Sequence, residues 1–480
     1  MSSNSRLISI FSLPVLAATA WLLWRSLDWP LVGDAAIFHF IANQFLMGAV
    51  PYRDIVDINM PLIYGIHAAI ILIGGMSDIA WRAFDLGASA IMCAVILMLV
   101  RPVGLAAAIL AALVMLATHL SLGAYAAGQR DFLVAILAVA AAWTSALATE
   151  DPERRRVYVG AVGAVTMIAA TMKPTALLLV FLPALTIVRL QWRDVAWIAT
   201  GAACVGFLVF GTLWALGGLG AFIAMLSDLL PRYASLDSPT ITTMLRTCLW
   251  LAPMAGLAIP AVLSIASPKP ARVRAMMGVT AFGLIHLLVQ RKGYFYHVYP
   301  LGAGLACWGS WSLAALPARR ALVCLILIVS TFGWFVVQAS SRVEKHPELR
   351  AASAMQAALE SRLPPGARVQ VLDSDRGALL AMARAGMRQA TAHIQWFSLV
   401  LAEDRVRTEF LAALEADPPA AVLLTNDFWP RRPGFESMDD WRELKAFLTS
   451  HYDVSSTGHE DHIDWQLHLR RQSASDRPTR

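Results

Sequence analysis

Eleven apolar stretches, each close to the length of a membrane crossing, recur through the first 340 residues and limit this chain more than any other feature. They lie at 7–25, 83–100, 103–118, 131–148, 157–172, 174–188, 195–216, 241–266, 275–290, 299–316 and 321–340. A helix needs roughly 20 apolar residues to cross the hydrocarbon core of a bilayer, because it rises only ~1.5 Å per residue. In hydrocarbon every backbone amide must be bonded within its own segment, so such stretches fold as helices. Composition agrees. Of the 480 residues 58% are hydrophobic and 15% charged, and mean hydropathy is +0.58, whereas a soluble domain carries about 25% charged residues. The expected architecture is an all-α polytopic membrane domain of about eleven transmembrane helices over residues 1–340.

Orientation follows from the basic loops, since short loops rich in Lys and Arg stay in the cytoplasm. Arg6, Arg101, Arg154 to Arg156, Arg189 with Arg193, Lys269 to Arg274, and Arg319 with Arg320 mark one side. The opposite loops are then 26–81, 119–130, 217–240 and 291–298, with everything after residue 341. The amino terminus is expected in the cytoplasm and the tail outside. Parity requires that the apolar stretch 61–75 not cross, so it reads as a helix of the outer interface within the first outer loop.

After residue 340 charged residues become frequent and no segment is long and apolar enough to span. Strand-like runs at 369–372 and 421–424 alternate with helix-like runs near 344–361, 400–415 and 438–450. Residues 341–480 are expected to form a soluble extracytoplasmic α/β domain. The net charge of +6 is modest, a surplus that membrane proteins usually carry in cytoplasmic loops, and no basic stripe with interleaved aromatics suggests nucleic acid. The five cysteines, Cys93, Cys204, Cys248, Cys307 and Cys324, all lie in apolar stretches without a CxxC spacing. They read as small core residues. No spacing demands a metal or other cofactor, and a divalent ion stays open.

Chemistry should lie where polar residues interrupt these stretches, because a membrane excludes them unless they are useful. The densest cluster is the first outer loop, which holds Asp34, Tyr52, Arg53, Asp54, Asp57 and Asn59. Asp34 precedes the apolar run 35–47, in which Phe38, Ile41, Phe45 and Leu46 share one helical face. That pattern suits a helix lying flat on the membrane, with Asp34 as its N-cap. The carboxylate is equally suited to act as a general base. Gln129, Arg130 and Asp131 mark a second cluster, Lys173 a third, and Arg291, Lys292, Tyr296, His297 and Tyr299 a fourth. These cations lie on the outer side, against the usual bias. They either snorkel and form an aromatic belt, or clamp an anionic headgroup.

The motifs Gly33-Asp34, Pro51-Tyr52-Arg53-Asp54 and Asn59-Met60-Pro61-Leu62-Ile63-Tyr64 resemble the first-loop pattern of the GT-C glycosyltransferases. Among these, the bacterial members related to protein O-mannosyltransferases and aminoarabinose lipid A transferases are most similar. Gln129-Arg130-Asp131 and Tyr296-His297-Val298-Tyr299-Pro300 resemble later motifs of the same enzymes, and the similarity covers most of residues 1–340. The resemblance implies a bacterial cytoplasmic-membrane enzyme that moves a sugar from a polyprenyl-phosphate donor to a glycan, lipid or protein acceptor. Asp34 is the implied base. Many relatives have Asp-Glu where this chain has Asp34-Ala35, and His-Pro-Pro where it has Asn59-Met60-Pro61. A second acidic role therefore falls to Asp54 or Asp57. Arg130, Lys173, Arg291, Lys292 and His297 are the candidates for the donor phosphate. Tyr52, Gln129, Tyr296 and Tyr299 are candidates for the rest of the substrate. A transporter or lipid flippase is the alternative, although the halves of the chain show no repeat.

Overall fold

The computed structural model describes residues 3–235, 239–266, 270–341, 346–373, 376–394, 403–426 and 440–471. In chain order the membrane domain contains α1 (Ser3–Arg25), α2 (Asp34–Leu46), α3 (Leu62–Gly74), α4 (Asp78–Val100), α5 (Leu105–Ser121), α6 (Arg130–Glu150) and α7 (Arg155–Ala170). A 3₁₀ segment, Pro174–Phe181, leads into α8 (Leu182–Thr186) and then α9 (Trp192–Ala215). Next come α10 (Leu219–Ala224), a π-turn at Met225–Leu229, α11 (Leu230–Ser235), α12 (Ile241–Arg246) and α13 (Ala255–Leu263). The domain ends with α14 (Ala271–Gln290), α15 (Tyr299–Ala315) and α16 (Ala318–Ser341). The chain is a multi-pass membrane protein.

Among the described residues seven helices are long and apolar enough to cross: Asn4–Arg25, Asp78–Val103, Arg130–Glu150, Trp192–Ala215, Ile241–Leu263, Ala271–Gln290 and Ala318–Ala339. The other four expected crossings fold as shorter helices, namely α5, α7, the Pro174–Thr186 segment and α15. Protein rather than lipid surrounds α5 and α15 along most of their length, so bilayer thickness does not set their ends.

Contacts between helix ends sort the bundle into two sides. At one end Asn4 donates to the Leu316 carbonyl (2.5 Å), and Arg272 joins Glu150 (2.7 Å) and the Met98 carbonyl (2.7 Å). There too Arg274 donates to the Leu185 carbonyl (2.8 Å), and Arg155 to Asp194 and the Arg189 carbonyl. At the other end Arg82, near the start of α4, bonds to Ser26 just after α1, and the Leu31 amide bonds to Asp78 (3.1 Å). Hence α1 finishes on the side where α4 begins, and α3 does not cross between them. Its 13 residues span only ~20 Å, against ~30 Å of hydrocarbon.

The tail carries a five-stranded sheet in the order β2-β1-β3-β5-β4, formed by β1 (Arg368–Leu372), β2 (Arg388–Gln389), β3 (Ala421–Thr425), β4 (Tyr452–Glu460) and β5 (Ile463–Arg470). β1 runs parallel to β2 and β3, and the β4–β5 hairpin adds antiparallel. Helices α17 (Pro347–Glu360) and α18 (Ala378–Arg384) pack beside it. The tail rests on the first loop. Gln44 donates to the Met387 carbonyl (2.8 Å) and accepts from the Gln389 amide (2.9 Å), the Val56 amide bonds to the Ala392 carbonyl (2.8 Å), and Arg384 pairs with Asp78 (2.9 Å). This corrects the reading of α2 as a helix flat on the membrane. Ala35, Phe38, His39, Phe40, Ile41, Ala42 and Gln44 are all buried, because α2 is wedged between α3 and α18.

Candidate active site

The site begins at a tight turn. Gly33 has φ +61, and a Cβ there would stand 2.9 Å from the Tyr125 ring, so only glycine fits. This turn makes Gly33 the N-cap and Asp34 the first helical residue, and the Asp34 side chain forms no capping bond. The expectation that Asp34 caps the helix is thereby corrected. Its carboxylate faces Arg130 Nη2 at 3.7 Å and accepts from the Tyr296 hydroxyl at 3.4 Å. About a third of the side chain remains exposed (34%).

Arg130 reaches Asp34 because a second glycine turn starts α6. Gly128 has φ +57 and donates its amide to Asp85 Oδ1 at 2.6 Å. The Arg130 guanidinium lies 4.9 Å from the Phe38 ring and donates to Asn59 Oδ1. Asn59 is itself fixed. Its amide nitrogen donates to Asp57 (2.6 Å), its carbonyl accepts from the Tyr52 hydroxyl (2.6 Å), and Tyr64 donates to the same Asp57 oxygen. The first loop thus presents a prefolded polar scaffold to Arg130.

One residue further along α6, Asp131 is fully buried between Lys173 (3.1 Å) and His286 Nε2 (2.7 Å). His286 Nδ1 contacts the Thr175 hydroxyl at 2.8 Å. The Lys173 ammonium lies 6.0 Å from the Tyr296 ring, and the His297 ring stands perpendicular to that of His286 at 6.2 Å. Burial, aided by the nearby Lys173 charge, holds the His297 imidazole well below its ordinary pKa and therefore neutral. Beneath this layer Asp85 joins Arg82 and His119 Nε2 (3.3 Å), and His119 Nδ1 meets the Tyr299 hydroxyl (2.7 Å). Among the described residues no group of three or more His, Cys, Asp or Glu side chains is arranged to hold a metal ion.

Solved structures share this architecture across the whole chain. ArnT from Cupriavidus metallidurans, crystallised with undecaprenyl phosphate, matches over 94% of this chain and 97% of its own, with a TM-score of 0.62 at 14% identity. The archaeal oligosaccharyltransferase AglB from Archaeoglobus fulgidus, in complex with an inhibitory peptide and a dolichol-phosphate, matches over 98% and 75%, with a TM-score of 0.50 at 13% identity. The mycobacterial arabinofuranosyltransferase AftD matches over 95% of this chain and 41% of its own, with a TM-score of 0.51 at 14% identity. The chain has the GT-C fold. No protein-family profile matches it, and no curated protein sequence does.

Within this fold Asp34, Arg130 and Tyr296 meet directly. Asp57 and Tyr52 reach Arg130 through Asn59, and Lys173 gathers with His286 around Asp131, with His297 beside them. The remaining candidates have other partners. Asp54 closes a loop turn by accepting from the Val50 amide (2.7 Å) and pairing with exposed Arg53 (2.8 Å). Gln129 stands at the N-cap position of α6 without a side-chain capping bond and donates its side-chain amide to the Tyr125 carbonyl (3.0 Å). Arg291 ends α14 in a left-handed conformation (φ +48) and is exposed. Lys292 donates to the Tyr233 carbonyl (2.8 Å), and Tyr299 is committed to His119. Sequence reasoning misses Arg82, Asp85, His119 and His286. The signal for them is that each is an ionisable residue in or beside an otherwise apolar stretch.

Proposed function

We propose that this protein is an integral membrane glycosyltransferase that moves a sugar from a polyprenyl-phosphate donor to an acceptor hydroxyl at the outer face of the cytoplasmic membrane. The observation that carries this reading is the uncapped Asp34 carboxylate, set beside Arg130 and Tyr296 at the end of the bundle opposite the basic loops. Arg155, Arg272 and Arg274 mark that basic end, and the positive-inside bias makes it cytoplasmic. The ligands of the solved relatives, undecaprenyl phosphate in ArnT and dolichol-phosphate in AglB, support a lipid-linked donor.

In the proposed step Asp34 takes the proton from the acceptor hydroxyl as its oxygen attacks the anomeric carbon. The bond from that carbon to the phosphate oxygen breaks on the opposite face, its electron pair leaves with the phosphate, and configuration inverts. Arg130 and Lys173 stabilise the charge that develops on the leaving phosphate. His297, neutral and beside them, bonds to it, whereas Arg291 is exposed at the end of α14 and Lys292 is held by the Tyr233 carbonyl, so neither is assigned to the phosphate. Asp57 acts at one remove by holding Asn59 and so Arg130.

Asp34→Asn tests the reading. The side chain forms no capping bond, so folding should be preserved, whereas an amide accepts no proton. General base catalysis is worth roughly 10²–10⁴-fold, and a loss of that size is expected in the initial rate from a panel of polyprenyl-phosphate sugars at matched protein levels. Asp54→Asn, whose partners lie within its own turn, should stay near wild type. More than about a tenth of the wild-type rate in Asp34→Asn would place the base elsewhere.

A further inference from the structure

A cavity of about 280 Å³ lies where the membrane domain, the first loop and the tail meet. Its membrane wall is the end of α10 with the π-turn, including Ala224, Met225 and Asp228. Its loop wall holds Tyr52 and Asp57, and its tail wall holds His393, Glu403 and Arg405. π-turns occur disproportionately at functional sites, and Tyr52 is one of three described non-glycine residues with positive φ (+71). A relay of three side chains links the cavity to the proposed base. Asp57 lines it and holds Asn59, Asn59 receives Arg130, and Arg130 faces Asp34.

The charges of this lining select its occupant. Arg232 is shared by Asp228 and Glu403, and Arg405 pairs with Glu409 (3.0 Å). Both lining guanidinium groups are thus already neutralised, and burial lowers the pKa of His393 and so favours its neutral form. The lining carries three carboxylates, Asp57, Asp228 and Glu403, against two guanidinium groups, Arg232 and Arg405, both already engaged, so an anionic group entering here would meet an excess of negative charge. Hydroxyl groups suit the same lining. Carboxylates accept from them and neutral imidazole can do either, while the apolar wall of Ala224 and Met225 takes a sugar's C–H face.

We propose that this cavity is the acceptor subsite and that it takes an uncharged, hydroxyl-rich saccharide unit of the acceptor. The proposal rests on the transferase reading and adds where the acceptor sits and what its local charge is. The polyprenyl-phosphate donor is then approached from the other side of Arg130, where Lys173 and His297 lie.

Two arms on the full-length protein test it. In the first, Ala224→Cys in membrane vesicles is alkylated with a membrane-impermeant maleimide in the presence of neutral disaccharides or their phosphorylated counterparts. At least one neutral disaccharide should slow alkylation threefold or more, with the phosphorylated forms ineffective. In the second, Ala224→Trp, with Ala221→Phe as an independent filling variant, should raise the acceptor KM at least tenfold while donor KM stays within twofold. Absence of protection by every neutral disaccharide, equal protection by phosphorylated ones, or an unchanged acceptor KM in both filling variants overturns the subsite. If the wild type transfers no sugar and yet neutral disaccharides protect, the saccharide site stands and the transferase reading fails.

Discussion

Gly128→Ala should damage this protein more than an alanine at an ordinary glycine turn, because two separate costs coincide there. Gly128 has φ +57, and a Cβ added to it would fall on the six-membered ring of Trp81. That ring is not free to move, being held by His39 (5.3 Å), His67 (5.0 Å) and Phe84 (5.6 Å). The left-handed backbone costs a side chain about 1–2 kcal/mol. Overpacking a well-filled core costs about 1–3 kcal/mol, giving a total of about 2–5 kcal/mol. Gly386→Ala is the control, since Gly386 has φ +66 but a Cβ added there would meet nothing within 4 Å. It should lose only the backbone share. Equilibrium unfolding in mixed micelles should therefore separate the two variants by about 1–3 kcal/mol. Trp81→Phe should recover part of the difference, and it sacrifices no hydrogen bond because Trp81 Nε1 has none. A double-mutant cycle should return a coupling within the about 0.5–3 kcal/mol typical of touching residues. The same turn aims Arg130 at Asp34, so transfer should fall at least ~10-fold at temperatures where the variant is fully folded. A misplacement of about 1 Å can cost ~10²-fold. Gly128→Ala with wild-type stability and rate, or a coupling below about 0.5 kcal/mol, would refute the claim that Trp81 and Asp85 lock this turn.

Stability should also depend on acid. Burial holds His39 down at about 4, and its Nδ1 stands 2.5 Å from that of His67, which burial lowers further. Between pH ~6.5 and 4 the unfolded chain binds a proton on His39 that the folded chain does not, so stability falls as pH falls through that window, by up to about 3 kcal/mol for this residue. His39→Phe should flatten the dependence of melting temperature on pH, and an unchanged slope would exclude His39 as the cause. Topology is tested by reporter fusions at residues 153, 271 and 361, with cytoplasmic activity expected at the first two and external activity at the third. External activity at 153 would invert the proposed orientation.

Hydrophobicity is a property of consecutive residues, and what depends on it is legible in the sequence alone. The helical stretches, the short α3 that cannot cross, the change of character after residue 340 and the strand runs at 369–372 and 421–424 all follow from local pattern. So does the candidate status of Asp34 and Arg130, because each stands beside or near a glycine at the mouth of an apolar run. The hairpin β4–β5 is not legible there, since its outer strand is largely polar and partly exposed.

Which polar residues pair, and therefore what each can do, is decided only by tertiary structure. Asp131 reads locally as a favourable first-turn acid, and in the fold it is the buried partner of Lys173 and His286, two residues from different helical segments. Asp54 and Asp57 are equivalent in sequence, yet one closes its own turn while the other holds the asparagine that steadies Arg130. Helix α2 carries the pattern of a membrane-surface helix because the element that covers its second face, α18, lies some 340 residues away. An ionisable side chain inside a bundle must find a counter-charge or hydrogen-bond partner to remain there, and long-range packing selects that partner, whereas the apolar run around it is written locally.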